Sequence, residues 1–382
     1  MPAQIAALSP LPTAHVAATA VNAAQDLARA LGAGPFAQVV LFISPTADLA
    51  ALSLGLAAEF GDCPVIGCTT AGEISAQGYT EGEIVAVGFP ADLFACQTLL
   101  VEDLDHIDSE ALIGQMIRSR TGLERARPAW RHEFAFLMVD GLSIREDELT
   151  AALAPGLGPM PLFGGSAADG QDFRQSFVLH AGRFLRHAAV LLMLRTRCPV
   201  QVFNLDHLVP TAKRMVVTQA DPARRLVSQI NAEPAALEYA RLLGKDPTQL
   251  TAFTFAAHPV VVRIGGRHHV RAIQRVDENG DLVFFSAIDE GLVLTLAEPQ
   301  DMAAHLQDAL AGLCAKTAPL AILAADCILR RMEATEKQSY GAVSQVLRAH
   351  RVTGFSTYGE QWNSMHVNQT MTGVAIYPPE PA

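Results

Sequence analysis

Two seven-residue stretches, GCTTAGE at 67–73 and GFSTYGE at 354–360, place hydroxyls between two glycines and a carboxylate directly after the second. Both fit Gly-x-[Ser/Thr]-Thr-x-Gly-Glu. Glycine opens backbone conformations closed to other residues and lets a bound molecule reach main-chain amides. Thr69, Thr70, Ser356 and Thr357 supply hydroxyls, and Glu73 and Glu360 supply carboxylates. Such groups suit a small polar molecule: amides and hydroxyls hold a carboxylate, and a glutamate holds an amine. The plainer reading is a tight turn whose hydroxyls cap the next helix. In HVNQTMT (366–372), His366, Asn368, Thr370 and Thr372 share one face of an expected closing strand. That row suits a pocket wall, or else a hydrogen-bonded core network. Gly164, Gly165 and Asp169 of LFGGSAADG form a Gly-rich turn at the edge of the same site. Cys68 beside two threonines superficially suits a nucleophile. No His or Asp motif accompanies it, and Phe355 holds the matching position, so catalysis is not expected.

The surrounding pattern supplies elements to position these groups. AQVVLFIS (37–44) reads as a strand and TADLAALSLGLAAEF (46–60) as a helix capped by its Thr. CPVIGCTT reads as a short strand, and IVAVGF (84–89) and CQTLLV (96–101) as paired strands. A helix at 109–120, a strand at 133–141 and a short strand into the Gly-rich turn come next. The middle of the chain is strand-rich, with VQVFNLDHLVP and RMVVTQA among the runs, a helix at 234–244 and a turn ENGD at 278–281. Helices near 299–315 and 334–349 flank the strand LAILAADC, whose Asp326 is placed to pair with Arg330. Mixed order of this kind predicts an α/β fold of two domains, with mixed β-sheets and flanking helices. An Ala-rich helical lead-in covers 1–34, an N-terminal domain 35–218 and a C-terminal domain 219–382.

Composition narrows the function. Half the residues are hydrophobic, 18% are charged and the formal net charge is −11. Nucleic-acid binding is disfavoured because phosphate contact needs clustered Lys and Arg. The apolar run AAVLLML (188–194) is too short to cross a bilayer, and the first basic residue is Arg29, so a cytoplasmic protein with no membrane partner is expected. Six cysteines form no CxxC pair and are expected as reduced, mostly buried thiols.

GCTTAGEIS, DGLS (140–143), LFGGSAADG, GFSTYGE and HVNQTMT occur in an order that resembles the FIST family, over roughly residues 35–377. The resemblance implies N- and C-terminal FIST domains, sensing of a small ligand rather than catalysis, and output through a separate signalling protein. The stretches 204–241 and GFSTYGEQWNSMHVNQTMTG are similar to the stand-alone nitric-oxide-sensing haem (NosP-type) branch, which regulates partner histidine kinases. That likeness implies haem b, held by an axial histidine in an apolar pocket. His207, at the end of a strand with Phe203 and Leu205 on its face, is the first candidate for iron, and His258 the second; His268, His269 and His366 rank after them. The alternative is a haem-free sensor of a polar metabolite such as an amino acid, held at the two heptads. A homodimer fits a stand-alone signalling chain.

Overall fold

The computed structural model describes residues 11–264 and 266–379. One scheme runs through it three times. The first repeat is β1 (Thr13–Ala17), α1 (Ala23–Leu31), β2 (Phe36–Ile43), α2 (Leu49–Phe60), β3 (Val65–Thr69), a hairpin of β4 (Glu73–Ser75) and β5 (Gly78–Thr80), and β6 (Glu83–Pro90). The second is β7 (Phe94–Val101), α3 (Ser109–Ala126), β8 (His132–Asp140), α4 (Glu146–Leu157), β9 (Leu162–Ala167), the hairpin β10 (Val178–His180) and β11 (Arg183–Leu185), and β12 (Ala189–Thr196). The third opens with β13 (Val200–Leu205) and is then interrupted by an insert. The insert comprises β14 (Leu208–Asp221), β15 (Leu226–Ile230), β16 (Glu233–Pro234), α5 (Ala235–Leu243), α6 (Ala252–Ala257), β17 (Val260–Ile264), β18 (Arg267–Arg271), β19 (Ile273–Val276), β20 (Leu282–Phe284) and β21 (Val293–Pro299). The third repeat resumes with α7 (Met302–Cys314), β22 (Ala321–Cys327), α8 (Ile328–Glu336), α9 (Tyr340–Ala349), β23 (Val352–Thr357), the hairpin β24 (Glu360–Trp362) and β25 (Met365–Val367), and β26 (Met371–Ile376).

Strand order makes the repetition explicit. The three core sheets run β1-β6-β2-β3-β10-β11, β7-β12-β8-β9-β24-β25 and β13-β26-β22-β23-β4-β5. Each has one parallel pair (β2/β3, β8/β9, β22/β23) joined by a helical crossover, as parallel strands require. Each repeat lends its hairpin to the sheet of another: the first to the third, the third to the second, the second to the first. Three interlocked sheets thus form one pseudo-threefold core. Gly67, Gly164 and Gly354 hold the same register, opposite Leu41, Leu137 and Ala324. A Cβ on them would stand 2.3, 2.4 and 1.8 Å from the carbonyl oxygens of those partners. Only a hydrogen fits there, which explains the first glycine of each heptad.

The inner faces are apolar because all three sheets are covered on both sides. Phe42 and Phe136 meet edge-on at 6.2 Å, and Phe42 stacks on Phe355 at 4.6 Å, tying the three repeats at their centre. Each such ring contributes about 1.5–3 kcal/mol by leaving water. Outside, α1 and α2 cover the first sheet, α3 and α4 the second, and α7 and α9 the third. Asp48, not Thr46, caps α2, accepting from the Ala50 and Ala51 amides.

Several expectations change here. IVAVGF and CQTLLV are not partners: residues 91–93 carry the chain into the next repeat, and β7 pairs with β12. The closing strand is broken. β25 and β26 belong to different sheets, and Gln369 takes a left-handed φ of 50° where the chain crosses, so 366–372 is not one alternating face. The boundary expected at 218 falls inside β14. The lead-in holds the strand β1 and the helix α1, with residues 1–10 outside the described part.

Candidate functional site

The two heptads and LFGGSAADG are the three equivalent strand-to-hairpin turns, and they meet. Ala71 N–H donates to Ser356 O at 2.8 Å and Ser356 N–H to Gly72 O at 2.7 Å. Ser166 N–H donates to Gly359 O at 2.8 Å, and Ala168 N–H to Thr69 O at 2.9 Å. The turns therefore form a closed ring about the pseudo-threefold.

Their side chains answer one another. Thr70 Oγ1 donates to Glu73 Oε1 at 2.5 Å, and Glu83 N–H to Glu73 Oε2 at 3.1 Å. In the third repeat Thr357 Oγ1 donates to Glu360 Oε1 at 2.5 Å, while Thr370 donates its N–H and hydroxyl to Glu360 Oε2 at 3.2 and 2.8 Å. The same staple is built twice. Burial pushes Glu73 up to about 7 and Glu360 up to about 8, against hydrogen bonds that favour the charged forms. The second repeat has Ala167 and Gly170 at the Thr and Glu positions; there Tyr358 reaches across and donates to Asp169. Thr69 Oγ1 accepts from Phe177 N–H at 3.0 Å, and Ser356 Oγ from Arg331 Nη1 at 3.3 Å. Arg331 lies over Gly72 (φ +121°), where a Cβ would come within 2.1 Å of Nη1. Gly164 and Gly165 lie in β9, paired with Gln361 and Glu360.

His207 sits in the loop between β13 and β14, beyond the strand, and is buried. Its Nε2 bonds Glu333 at 3.0 and 3.1 Å, and its Nδ1 accepts from Arg330 Nη1 at 2.9 Å. Arg330 Nε also donates to Asp326 Oδ1 at 2.7 Å, and Lys337 Nζ to Glu333 at 2.9 Å. Burial holds His207 below its ordinary pKa. Both ring nitrogens are engaged, so the side chain presents no free axial ligand. His258 ends α6 half-buried, its carbonyl accepting from Tyr239 at 2.5 Å. His268 and His269 line a void of about 20 Å³, room for about one water. The two larger clefts, about 560 and 610 Å³, lie on the α1–α2 surface and beside the C-terminal Tyr377–Pro379, away from these histidines. In this arrangement the candidate histidines do not face a haem-sized space. No group of three or more His, Cys, Asp or Glu suits a metal ion among the described residues. Cys68 is buried, and burial raises its thiol above the ordinary range, which suits an inert side chain.

His366 and Asn368 differ from the staples. Both are buried, yet His366 Nε2 and both amide atoms of Asn368 lack any partner. Gln361 stands beside them: its Nε2 donates to Ser166 Oγ at 3.0 Å, and its Oε1 is unpartnered. Gln361, Arg331 and Tyr358 were not singled out from the sequence. Tyr358 lies within the heptad 354–360 and Gln361 directly follows it, and that position is the available signal.

Residues 37–233 match the model of the FIST N domain, and residues 235–363 that of the FIST C domain. The sequence matches no curated protein. FIST domains are associated with signal transduction and the sensing of small ligands rather than with catalysis. No helix among the described residues is long and apolar enough to cross a membrane.

Proposed function

Because the chain belongs to the FIST family, we propose that it is a sensory module for a small polar metabolite, an amino acid or a molecule of similar chemistry. One observation carries this reading. The polar groups of the heptads are mutually satisfied, whereas His366 Nε2 and both amide atoms of Asn368 are buried and unanswered. Buried polar groups are nearly always hydrogen-bonded, so unanswered ones mark a place for a bound molecule or ordered water. The heptads then act as the frame: Thr69, Thr70, Glu73, Ser356, Thr357, Glu360 and Thr370 lock the turns that hold the β24–β25 hairpin in place. Gly164 and Gly165 of β9 lie beneath that hairpin. The output passes to a separate signalling protein, of which a histidine kinase is one class, and the chain acts alone or as a homodimer.

The haem and nitric-oxide reading rests on the likeness to the haem-binding branch. The pairing of His207 with Glu333 and Arg330 weighs against iron at that residue. Thermal denaturation of the full chain against amino acids, organic acids, nucleosides and sugars, with haemin as a separate arm, distinguishes the readings. A ligand-specific rise in Tm that is absent in Asn368→Leu supports the metabolite sensor. A protein that no polar molecule stabilises, but that takes up haemin with a Soret band shifting under nitric oxide, overturns it in favour of haem.

A further inference from the structure

Charge is not spread evenly along the chain. Residues 1–117 contain 13 Asp and Glu but a single Lys or Arg, Arg29, whereas the whole chain nets −11. The excess of acid therefore lies in the first repeat and the start of the second, and the rest of the chain is close to neutral. Part of it is answered by basic residues of the later repeats: Glu81 pairs with Arg331, Glu102 with Arg183 and Asp105 with Arg145. On the α1–α2 layer it is not. Asp26 pairs with Arg29 at 3.3 Å, while Asp48, Glu59 and Asp62 are exposed and make no ion pair among the described residues.

The same layer exposes apolar surface. The sequence of α2, LAALSLGLAAEF, has Glu59 as its one charged residue. A helix apolar around most of its circumference is normally buried. Yet only Leu52 and Leu56 are buried. Ala50, Leu54, Ala57 and Ala58 recur at the spacing of a helical stripe and face outward, with Leu54 77% exposed. Val21, just before α1, is 95% exposed. Helices in the matching places of the other repeats expose polar side chains instead, Glu148 on α4 and Gln345 and Arg348 on α9.

A cleft of about 560 Å³ runs between the start of α1 and α2. Leu52 and Ile84 are its buried apolar floor, and Val21 and Ala51 its exposed walls. The two helices close on each other at Gly55, where a Cβ would stand 2.8 Å from that of Ala24. Asp48 and Glu59 also line the cleft, and among the described residues no Lys, Arg or His does. At 1.5 Å per residue these two carboxylates stand roughly 16 Å apart along α2.

We propose that this face is a docking surface for a basic amphipathic segment of a separate protein. Apolar side chains of that segment cover Leu54, Val21 and the cleft, and its Lys or Arg residues, about three helical turns apart, meet Asp48 and Glu59. The surface is the place where the output protein of the sensory reading engages, and it rests on that reading for its biological role. Charge selects this occupant. A second copy would bring Asp48, Glu59 and Asp62 against the same acids, with no basic residue on α2 to answer them. Nucleic acid and anionic lipid are repelled for the same reason.

Fluorescence anisotropy of the full chain with a labelled 18-residue peptide, Leu on one helical face and Lys on the other, tests this against a counterpart with Glu in place of Lys. The Lys peptide is expected to bind, and the Glu peptide to bind at least about tenfold more weakly. Leu54→Gln and Glu59→Lys, both at exposed positions, are each expected to weaken binding of the Lys peptide by at least about fivefold. Glu124→Lys, the same charge change on exposed α3, is expected to leave it within about twofold. A Lys peptide that does not bind overturns the docking surface, as does binding that Leu54→Gln leaves unchanged or that Glu124→Lys weakens as much as Glu59→Lys, the mark of general acidity. A dimer in sedimentation that Leu54→Gln dissociates overturns it in favour of a second copy. A chain that a polar metabolite stabilises but that refuses the Lys peptide loses this surface and keeps the sensory reading; a chain that binds the peptide but no metabolite keeps the surface and loses that reading.

Discussion

Glu360→Gln probes the staple that frames the site. In the native chain Glu360 is fully buried, with Thr357 donating to one oxygen and Thr370 donating twice to the other. Burial raises its pKa from 4.5 to about 8. The folded state therefore keeps a proton that the unfolded chain releases. The contribution of this group is fully present below pH 4.5 and is lost as pH rises towards about 8. At 1.36 kcal/mol per pKa unit, that rise corresponds to a loss of about 5 kcal/mol, an upper value for a group that relaxes on ionising. Glutamine is a neutral isostere whose oxygen can accept from Thr370 and whose amide can donate to Thr357. Its stability is expected within about 1 kcal/mol of wild type at pH 5.5. At pH 9 it is expected to be higher by on the order of 2–5 kcal/mol. Urea denaturation followed by circular dichroism from pH 5.5 to 9 reads both limits. A wild type whose stability is flat over that range, with a variant weaker by more than about 2 kcal/mol throughout, would refute the reasoning, because it would mean a stably ionised, required carboxylate.

The same frame sets other expectations. Gly354→Ala places a carbon 1.8 Å from Ala324 O and is expected to cost about 1–3 kcal/mol or more. Gly312→Ala, in α7 with open space around it, is expected to gain roughly 0.5–1 kcal/mol; chemical denaturation of both variants checks the contrast. His207→Ala leaves Arg330 on Asp326 and Glu333 on Lys337, and is expected to cost about 1–3 kcal/mol. In a preparation loaded with haemin, an unchanged Soret band in His207→Ala would agree with a structural histidine, and its disappearance would assign the iron there. If the three repeats close on themselves, a short linker joining 377 to 11, with the chain reopened at 91–93, is expected to keep native circular dichroism and cooperative melting.

The elements that were legible in the sequence are those whose signal is local. The apolar runs of β2, β8 and β22, the helix α5 with Gly244 after its end, and the ENGD turn between β19 and β20 carry their own periodicity or turn chemistry. The pairing of the heptads pointed to equivalent turns, but the third copy was hidden. GGSAADG keeps the leading Gly and the Ser while replacing Thr, Gly and Glu with Ala167, Asp169 and Gly170. Hairpin exchange was not legible, because nothing local says that β4 pairs with β23 or β24 with β9. The same exchange splits HVNQT between two sheets, leaving His366 and Asn368 unpartnered and giving Thr370 to Glu360. His207 reads as a strand-end ligand until α8, over a hundred residues later, brings Glu333 and Arg330 to its ring.

The central claim is that the buried groups of His366 and Asn368 receive a small polar ligand. A crystal structure of the full chain purified without added metabolites, and again after soaking with the best stabiliser from the panel, tests it most directly. The account predicts non-water density within hydrogen-bond distance of His366 Nε2 and the Asn368 amide. Ordered waters alone at those atoms in both crystals, or a ligand seated elsewhere, would contradict it.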